Sequence, residues 1–494
     1  MVTEQETTNP DGLVVIPDAE YDTYASRGYS TELLPQRPEE RTWGVLNYVT
    51  LWMGPIHNIL SYFTVVGFFA LGLSAVQVIA AILTAAIVVS TFYVLNGWAA
   101  ATYGVTFAMQ LRDTFGVRGS VFPAIIRGLV AGLVFFGVGT IASAKALDIV
   151  LLQIFPGYLE IGRGTRILGL SIPTAISYAI MFVVTVGLYL GGRAFLDKFA
   201  KYSAPAVYVL ICIAVVLAVR NAGGVGDVLA FHPVNTAVTP LAFVTCVSML
   251  VSNWAGPIVN IGDFTRNAKS VRAPAVGFPV GMLVSYVLFA IVTVALMASL
   301  AAASGNVDPN NPTIFVDAIN SINSPVVVVL LIVAMNVGAM AFAVFGNMLP
   351  SGLQMTAQFP KVFSVMTGGL LAAVVGTLIL PWKFVENTTM LFFFYSFIGS
   401  MFGPIAGIML ASYYFERRRR LDLDSIYVAP GAPGRYPGGI NMRAVAVLIV
   451  SFIITMSGKF LTGVSVLVTI NNLAFFSGLV IGFVGYLLLS RRSA

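Results

Sequence analysis

Trp52-Met53-Gly54-Pro55-Ile56-His57-Asn58-Ile59 and Trp254-Ala255-Gly256-Pro257-Ile258-Val259-Asn260-Ile261 are two copies of one pattern, W-x-G-P-I-x-N-I, with six of eight positions identical. Each copy sits in the middle of a long apolar stretch. Proline lacks the backbone donor that a helix needs and clashes with the preceding turn, while glycine accepts dihedrals that other residues avoid. A helix running into Gly54-Pro55 or Gly256-Pro257 is therefore expected to break. In hydrocarbon, freed amides and carbonyls are tolerated only where they line a cavity or meet another protein segment. Matched broken helices in two halves of a chain point to a transport site near the bilayer midplane, built from repeats of opposite orientation.

Composition agrees. Of 494 residues, 58% are hydrophobic and 10% charged, with a mean hydropathy of +0.89. Soluble domains carry about 25% charged residues. So little charge excludes a soluble enzyme, a disordered chain and a nucleic-acid-binding domain. Cys212 and Cys246 form no disulfide framework, and His57 and His232 are too few and too far apart for a zinc site. No phosphate-binding G-x-x-x-x-G-K-[ST] loop is present, nor any H-E-x-x-H or nucleophile constellation. The sequence therefore predicts a non-enzyme with no cofactor and no resident metal.

A helix needs about 20 apolar residues to cross a bilayer. Twelve stretches qualify: 45–72, 75–103, 119–151, 167–190, 199–220, 238–262, 275–304, 324–350, 359–383, 386–414, 442–460 and 465–489. The predicted fold is an all-α polytopic membrane protein. Residues 1–40, with nine acids against Arg27 and Arg37, read as a flexible cytoplasmic tail. Residues 41–220 form a first five-helix repeat and 221–414 a second. Five is odd, so the second is inverted. A basic cytoplasmic loop, 415–441, precedes two additional helices and a short tail within 442–494. Most Lys and Arg residues fall on the side of the N-terminus, including Arg112, Arg118, Arg266 and Arg417–Arg420. The positive-inside rule then places both termini in the cytoplasm and the chain in the cell membrane.

Several motifs resemble the nucleobase:cation symporter family, the group of purine/cytosine permeases, allantoin permeases and hydantoin transporters. They are Arg41-Thr42-Trp43-Gly44, Leu51-Trp52-Met53-Gly54, Asp263-Phe264-Thr265-Arg266, Phe359-Pro360-Lys361-Val362-Phe363 and Gly403-Pro404-Ile405-Ala406-Gly407-Ile408-Met409. The resemblance covers about residues 37–430. It implies a 5+5 inverted-repeat fold with broken helices 1 and 6. It also implies a flat heterocycle held between aromatic rings and read by amides. Carried over, the stacking tryptophan is Trp254, and the amides are Asn58 and Asn347. Hydantoin-type relatives place Trp and Gln in the third span, where this chain offers Phe135 and Gly139. Ser252 and Asn253 are expected to expose backbone to the substrate. The residues themselves agree: Trp254 sits at midspan rather than in an interfacial belt, and π faces suit a planar ligand.

The coupling ion follows from the same resemblance. Sodium-coupled relatives use first-span carbonyls, here Gly54 and His57, plus hydroxyls of the eighth span. Those latter positions are Gly338, Ala341 and Phe342, which carry no hydroxyl, so that sodium site is not expected to operate. A proton is the expected ion. Its candidate carriers are His57, at the first break, and Asp263, which can also pair with Arg266. Glu386 and Asp148 lie nearer the external surface. The sequence thus predicts a proton-coupled importer of a small planar heterocycle, with the lipid bilayer as its other partner. Another solute on the same fold, a vitamin or an amino acid, and a channel remain the alternatives.

Overall fold

The computed structural model describes residues 8–232, 238–305, 307, 314–385, 388–429 and 431–491; Glu386 lies outside them. The described chain is helical apart from one short hairpin, β1 (Arg166–Ile167) with β2 (Leu170–Ser171), paired Arg166 to Ser171 and Ile167 to Leu170. A short helix α1 (Asp18–Ser26) comes first. The first apolar stretch is divided into α2 (Val45–Thr50), α3 (Met53–Ile56) and α4 (Ile59–Ala70). Then come α5 (Ala75–Tyr103), the amphipathic α6 (Phe107–Phe115), α7 (Val121–Ile154), α8 (Ile172–Leu190) and α9 (Gly192–Asn221). The second broken stretch is α10 (Pro240–Asn253), α11 (Ala255–Asn260) and α12 (Gly262–Thr265). The longer helices that follow are α13 (Arg272–Ser304), α14 (Pro325–Gln358), α15 (Val365–Leu378), α16 (Thr389–Glu416), α17 (Met442–Phe460), α18 (Ser465–Asn472) and α19 (Ala474–Arg491). Among the described residues seven helices are long and apolar enough to cross a membrane, and the pair α18–α19, bent by 98°, makes an eighth if counted as one span.

The breaks fall two residues earlier than the Gly-Pro pairs. Trp52 (φ −104°, ψ 1°) and Trp254 (φ −100°, ψ 4°) adopt nearly the same non-helical conformation. Gly54-Pro55 and Gly256-Pro257 then lie in the first turn of α3 and α11. There a proline loses nothing, because first-turn N–H groups have no helical acceptor. The helix that ends is the incoming one. Asn58 is extended and caps α4, its side chain accepting from the Ser61 N–H, as an N-cap asparagine should.

Two packing groups follow. The broken segments α2 and α10–α12 lie with α5 and α13, while α7, α8, α14 and α15 pack on one another. α9 bridges α13 and α14, and α16 packs along α19. Close approach needs small residues. A Cβ at Gly281 of α13 would stand 2.3 Å from the Val49 carbonyl, and one at Gly403 of α16 2.3 Å from that of Phe475.

The expected flexible tail is corrected by its own contacts. Leu13, Val14, Tyr24, Leu33 and Leu34 are buried. The Val14 N–H donates to the Thr102 carbonyl at 2.9 Å, and that of Gln36 to Gly104 at 2.9 Å. Arg41 Nη1 donates to the Ala101 carbonyl at 2.6 Å, and Arg266 Nη2 to that of Leu34 at 2.7 Å. Acidic composition suggested solvation, but a few apolar side chains and buried arginine donors suffice to hold residues 8–40 against the helix ends. Arg417 likewise is buried rather than a free surface charge. Its Nη2 lies 3.4 Å from Asp113 Oδ1 and donates to the Tyr436 hydroxyl at 3.2 Å, tying α6 to the segment after α16.

Burial lifts the Asp113 carboxyl from 3.8 to about 6, against the opposing pull of Arg417. A raised acid favours the fold while protonated. That contribution is complete below about pH 4 and is lost as pH climbs through about 6, a loss of roughly 3 kcal/mol at most. Asp113→Asn therefore gains in melting temperature relative to wild type as pH rises across this window. Thermal unfolding of both purified proteins checks this; a constant difference rejects it.

Candidate functional site

The two breaks meet in the middle of the helical body. Trp254 is fully buried, with its ring centroid 5.4 Å from Trp52 and 5.3 Å from Phe342 of α14, both edge-to-face. Next to it Asn253 opens a polar chain. Asn253 Nδ2 donates to Ser61 Oγ at 3.1 Å, which also accepts from Asn58 Nδ2 at 2.8 Å. The Tyr395 hydroxyl donates to Asn253 Oδ1 at 3.3 Å and lies 2.8 Å from Thr64 Oγ1. Phe394, beside Tyr395, packs edge-on against Phe135 at 5.1 Å. Segments α4, α7, α10 and α16 thus bring Asn58, Asn253 and Phe135 into one continuous lining, with Trp254 at its edge. Nothing stands within 4 Å of where a Cβ on buried Gly54, or on half-buried Gly139 one turn beyond Phe135, would be.

Other candidates lie differently. Both amide protons of Asn58 are already used, one on Ser61 and one on the Pro55 carbonyl at 2.7 Å. Asn347 Nδ2 turns to the Phe342 carbonyl of its own helix at 3.5 Å. Ser252 faces α16, where its Oγ would lie 2.6 Å from a Cβ on Gly399. His57 is enclosed by aromatic rings. Its Nδ1 lies 2.7 Å from the Tyr62 hydroxyl, and Tyr208 and Phe289 cover its ring at 5.1 and 6.1 Å. Asp263 accepts the Phe107 N–H at 2.9 Å and Asn260 Nδ2 at 3.1 Å. Arg266, which the spacing allowed as its partner, donates to the carbonyls of Glu32 and Leu34.

Sequence reasoning missed Ser61, Thr64 and Tyr395. Ser61 follows Asn58 by three residues and Thr64 follows Ser61 by three, the spacing of neighbours on a helix surface and a signal the motif alone did not carry. Tyr395 comes from another helix and had no local signal.

Residues 34–481 match the family described as permease for cytosine/purines, uracil, thiamine, allantoin. The chain belongs to this family. Similar relatives include the allantoin permease of Bacillus subtilis (strain 168), 32% identical over 475 residues and covering 94% of each chain. The purine-uracil permease NCS1 of Arabidopsis thaliana is 27% identical, covering 93% of this chain and 77% of that one. The solved structure of Mhp1, a nucleobase-cation-symport-1 family transporter in a closed conformation with bromovinylhydantoin bound, matches with a TM-score of 0.75. It covers 94% of this chain and 95% of that one at 23% identity, a likeness of fold. The protein is thus a multi-pass membrane permease and not an enzyme, with a fold shared by a symporter.

In this permease Gly338, one of the positions expected from the sodium-coupled pattern, meets the first break. A Cβ at Gly338 would stand 2.5 Å from the Gly54 carbonyl and 3.3 Å from that of His57. α14 therefore approaches the first break backbone to backbone, and Phe342 spends its side chain on Trp254. Overpacking such a contact costs about 1–3 kcal/mol. Gly338→Ala is expected to lower the unfolding free energy by about that amount, read as a drop in melting temperature of the purified permease. Unchanged stability means that α14 does not sit against the break.

Proposed function

We propose that this permease imports allantoin or a closely related planar heterocycle, a hydantoin, purine or pyrimidine, driven by protons. The observation that carries the reading is the buried Trp254 ring set beside the Asn58–Ser61–Asn253–Tyr395 chain. A flat ring offers π faces to aromatic side chains and a lactam edge to amides and hydroxyls. The names of the relatives support the substrate class. Twelve spans in a 5+5 inverted repeat plus two, with both termini cytoplasmic, complete the arrangement. The matched Trp52 and Trp254 conformations favour the repeat, and the Lys and Arg bias favours the orientation. Alternating access then comes from one packing group rocking against the other.

Protons are favoured over sodium by the missing oxygen ligands at Gly338, Ala341 and Phe342. A hard cation needs several such ligands. His57 and Asp263 are the carriers: both are titratable and buried beside the two breaks, as intramembrane ionisable groups at transport pathways commonly are.

Cells expressing the chain should accumulate radiolabelled allantoin saturably, in competition with hydantoin, uracil, cytosine or hypoxanthine. No saturable uptake of any of the five rejects the substrate class. Trp254→Ala should raise the KM about tenfold, the worth of roughly 1.5 kcal/mol of stacking. An unchanged KM in a normally expressed variant removes Trp254 from the site. With choline in place of sodium and acid outside, uptake should persist. A strict sodium requirement overturns the ion assignment.

A further inference from the structure

Arg127 is 1% exposed and lies in the π-helical stretch Ile126–Ala131 of α7. Its Nε donates to Asn260 Oδ1 at 3.0 Å, and its Nη2 donates to the Gly346 carbonyl at 2.6 Å. Gly346 lies in a second π-helical stretch, Phe342–Met348 of α14. π turns widen a helix locally and are frequent at functional sites. Asn260 relays the contact through its Nδ2 to Asp263 Oδ2 at 3.1 Å. Nη1 of Arg127 has no hydrogen-bond partner.

The two breaks can be compared position by position, because Gly54 and Gly256 hold the same place in the repeated motif. At the first, glycine meets glycine: Gly338 of α14 comes against the Gly54 and His57 carbonyls. At the second, a Cβ on Gly256 would stand 3.4 Å from both Cζ and Nε of Arg127. α7 and α14 are each the third span of their block in the proposed arrangement. Where one block brings a bare backbone to the break, the other brings a guanidinium. This comparison rests on the two-block reading; the contacts of Arg127 do not.

We propose that Arg127 is a built-in cation at the second helix break, a positioning residue that shares the balancing of Asp263 with Arg266, three residues on, reaches it through Asn260, and fastens α11 and α12 to α7 and α14. A buried carboxylate needs a compensating charge nearby. A guanidinium supplies it while reaching two acceptors in different directions, as a lysine ammonium on a single stem does less well. The planar group lies alongside Gly256, at ordinary contact distance from where a Cβ would stand. Asn260 is the repeat mate of Asn58, and both asparagines hold the residue three places on: Asn58 holds Ser61, and Asn260 holds Asp263. The second copy has thus become an anchor for a fixed charge, whereas the first lies in the substrate lining.

The test uses the full chain, with allantoin uptake and the melting temperature of purified protein as two readouts. The second reports on the charge pair whether or not allantoin is carried. Arg127→Lys keeps the charge and should retain at least about a third of wild-type uptake. Arg127→Gln should retain less than about a tenth, through failed folding or failed turnover. Equal behaviour of the two overturns the proposal. Asp263→Asn added to Arg127→Gln should raise the melting temperature or yield of folded protein above that of Arg127→Gln alone, because it removes a buried carboxylate that has lost one of its two cations. A purely structural hydrogen-bond role predicts a further loss instead and would overturn it too. Guanidinium ion at low millimolar concentration should stabilise Arg127→Ala, and urea, of the same shape but uncharged, should not. Equal effects of guanidinium and urea also overturn the assignment.

Discussion

The constraint on which the rest of the structure depends is a missing backbone donor, twice over. Pro55 and Pro257 cannot give an N–H to the carbonyls of Leu51 and Asn253, four residues back. The incoming helices end at Trp52 and Trp254, in nearly identical conformations. In hydrocarbon each freed group then needs a partner supplied from elsewhere. Asn58 caps α4 and holds the Pro55 carbonyl. Asn96 of α5 donates to the Ile258 carbonyl at 3.2 Å. The asparagine that the motif places at the first break follows from this need as much as from any ligand.

Close backbone approach is the second requirement. The α7–α14 crossing runs over Gly128 and Gly132, where Ser351 Oγ donates to the Gly128 carbonyl at 2.6 Å. In a membrane, small residues and such interhelical hydrogen bonds do the work that hydrophobic exclusion does in water. That crossing sets where Arg127 and Gly346 stand. The burial of a charged side chain is therefore a consequence of how tightly two apolar helices fit.

Much was legible in the residues. The W-x-G-P-I-x-N-I repeat located both breaks to within two residues, since proline chemistry acts locally. Trp254 and Asn58 stood out because their position in a motif is itself information. Gly338 was legible as a place where a hydroxyl is lacking. Residues 8–40 were misread as a free tail, because composition averages over the few apolar side chains that dock. Arg127 was legible only as a basic residue inside a span, with no indication of what balances it.

The sequence by itself determined the apolar spans, the two broken helices and the scarcity of titratable groups beside them, because hydropathy and proline act through the local chain. Only the tertiary structure decided that Tyr395 completes the polar chain, that Phe342 rather than an ion ligand faces Trp254, and that Arg127 answers Asp263 through Asn260. These pairings join residues at least 88 positions apart. They arise where helices cross, and the crossings are set by which small residues let two backbones meet, a property of pairs of segments that no single stretch of sequence carries.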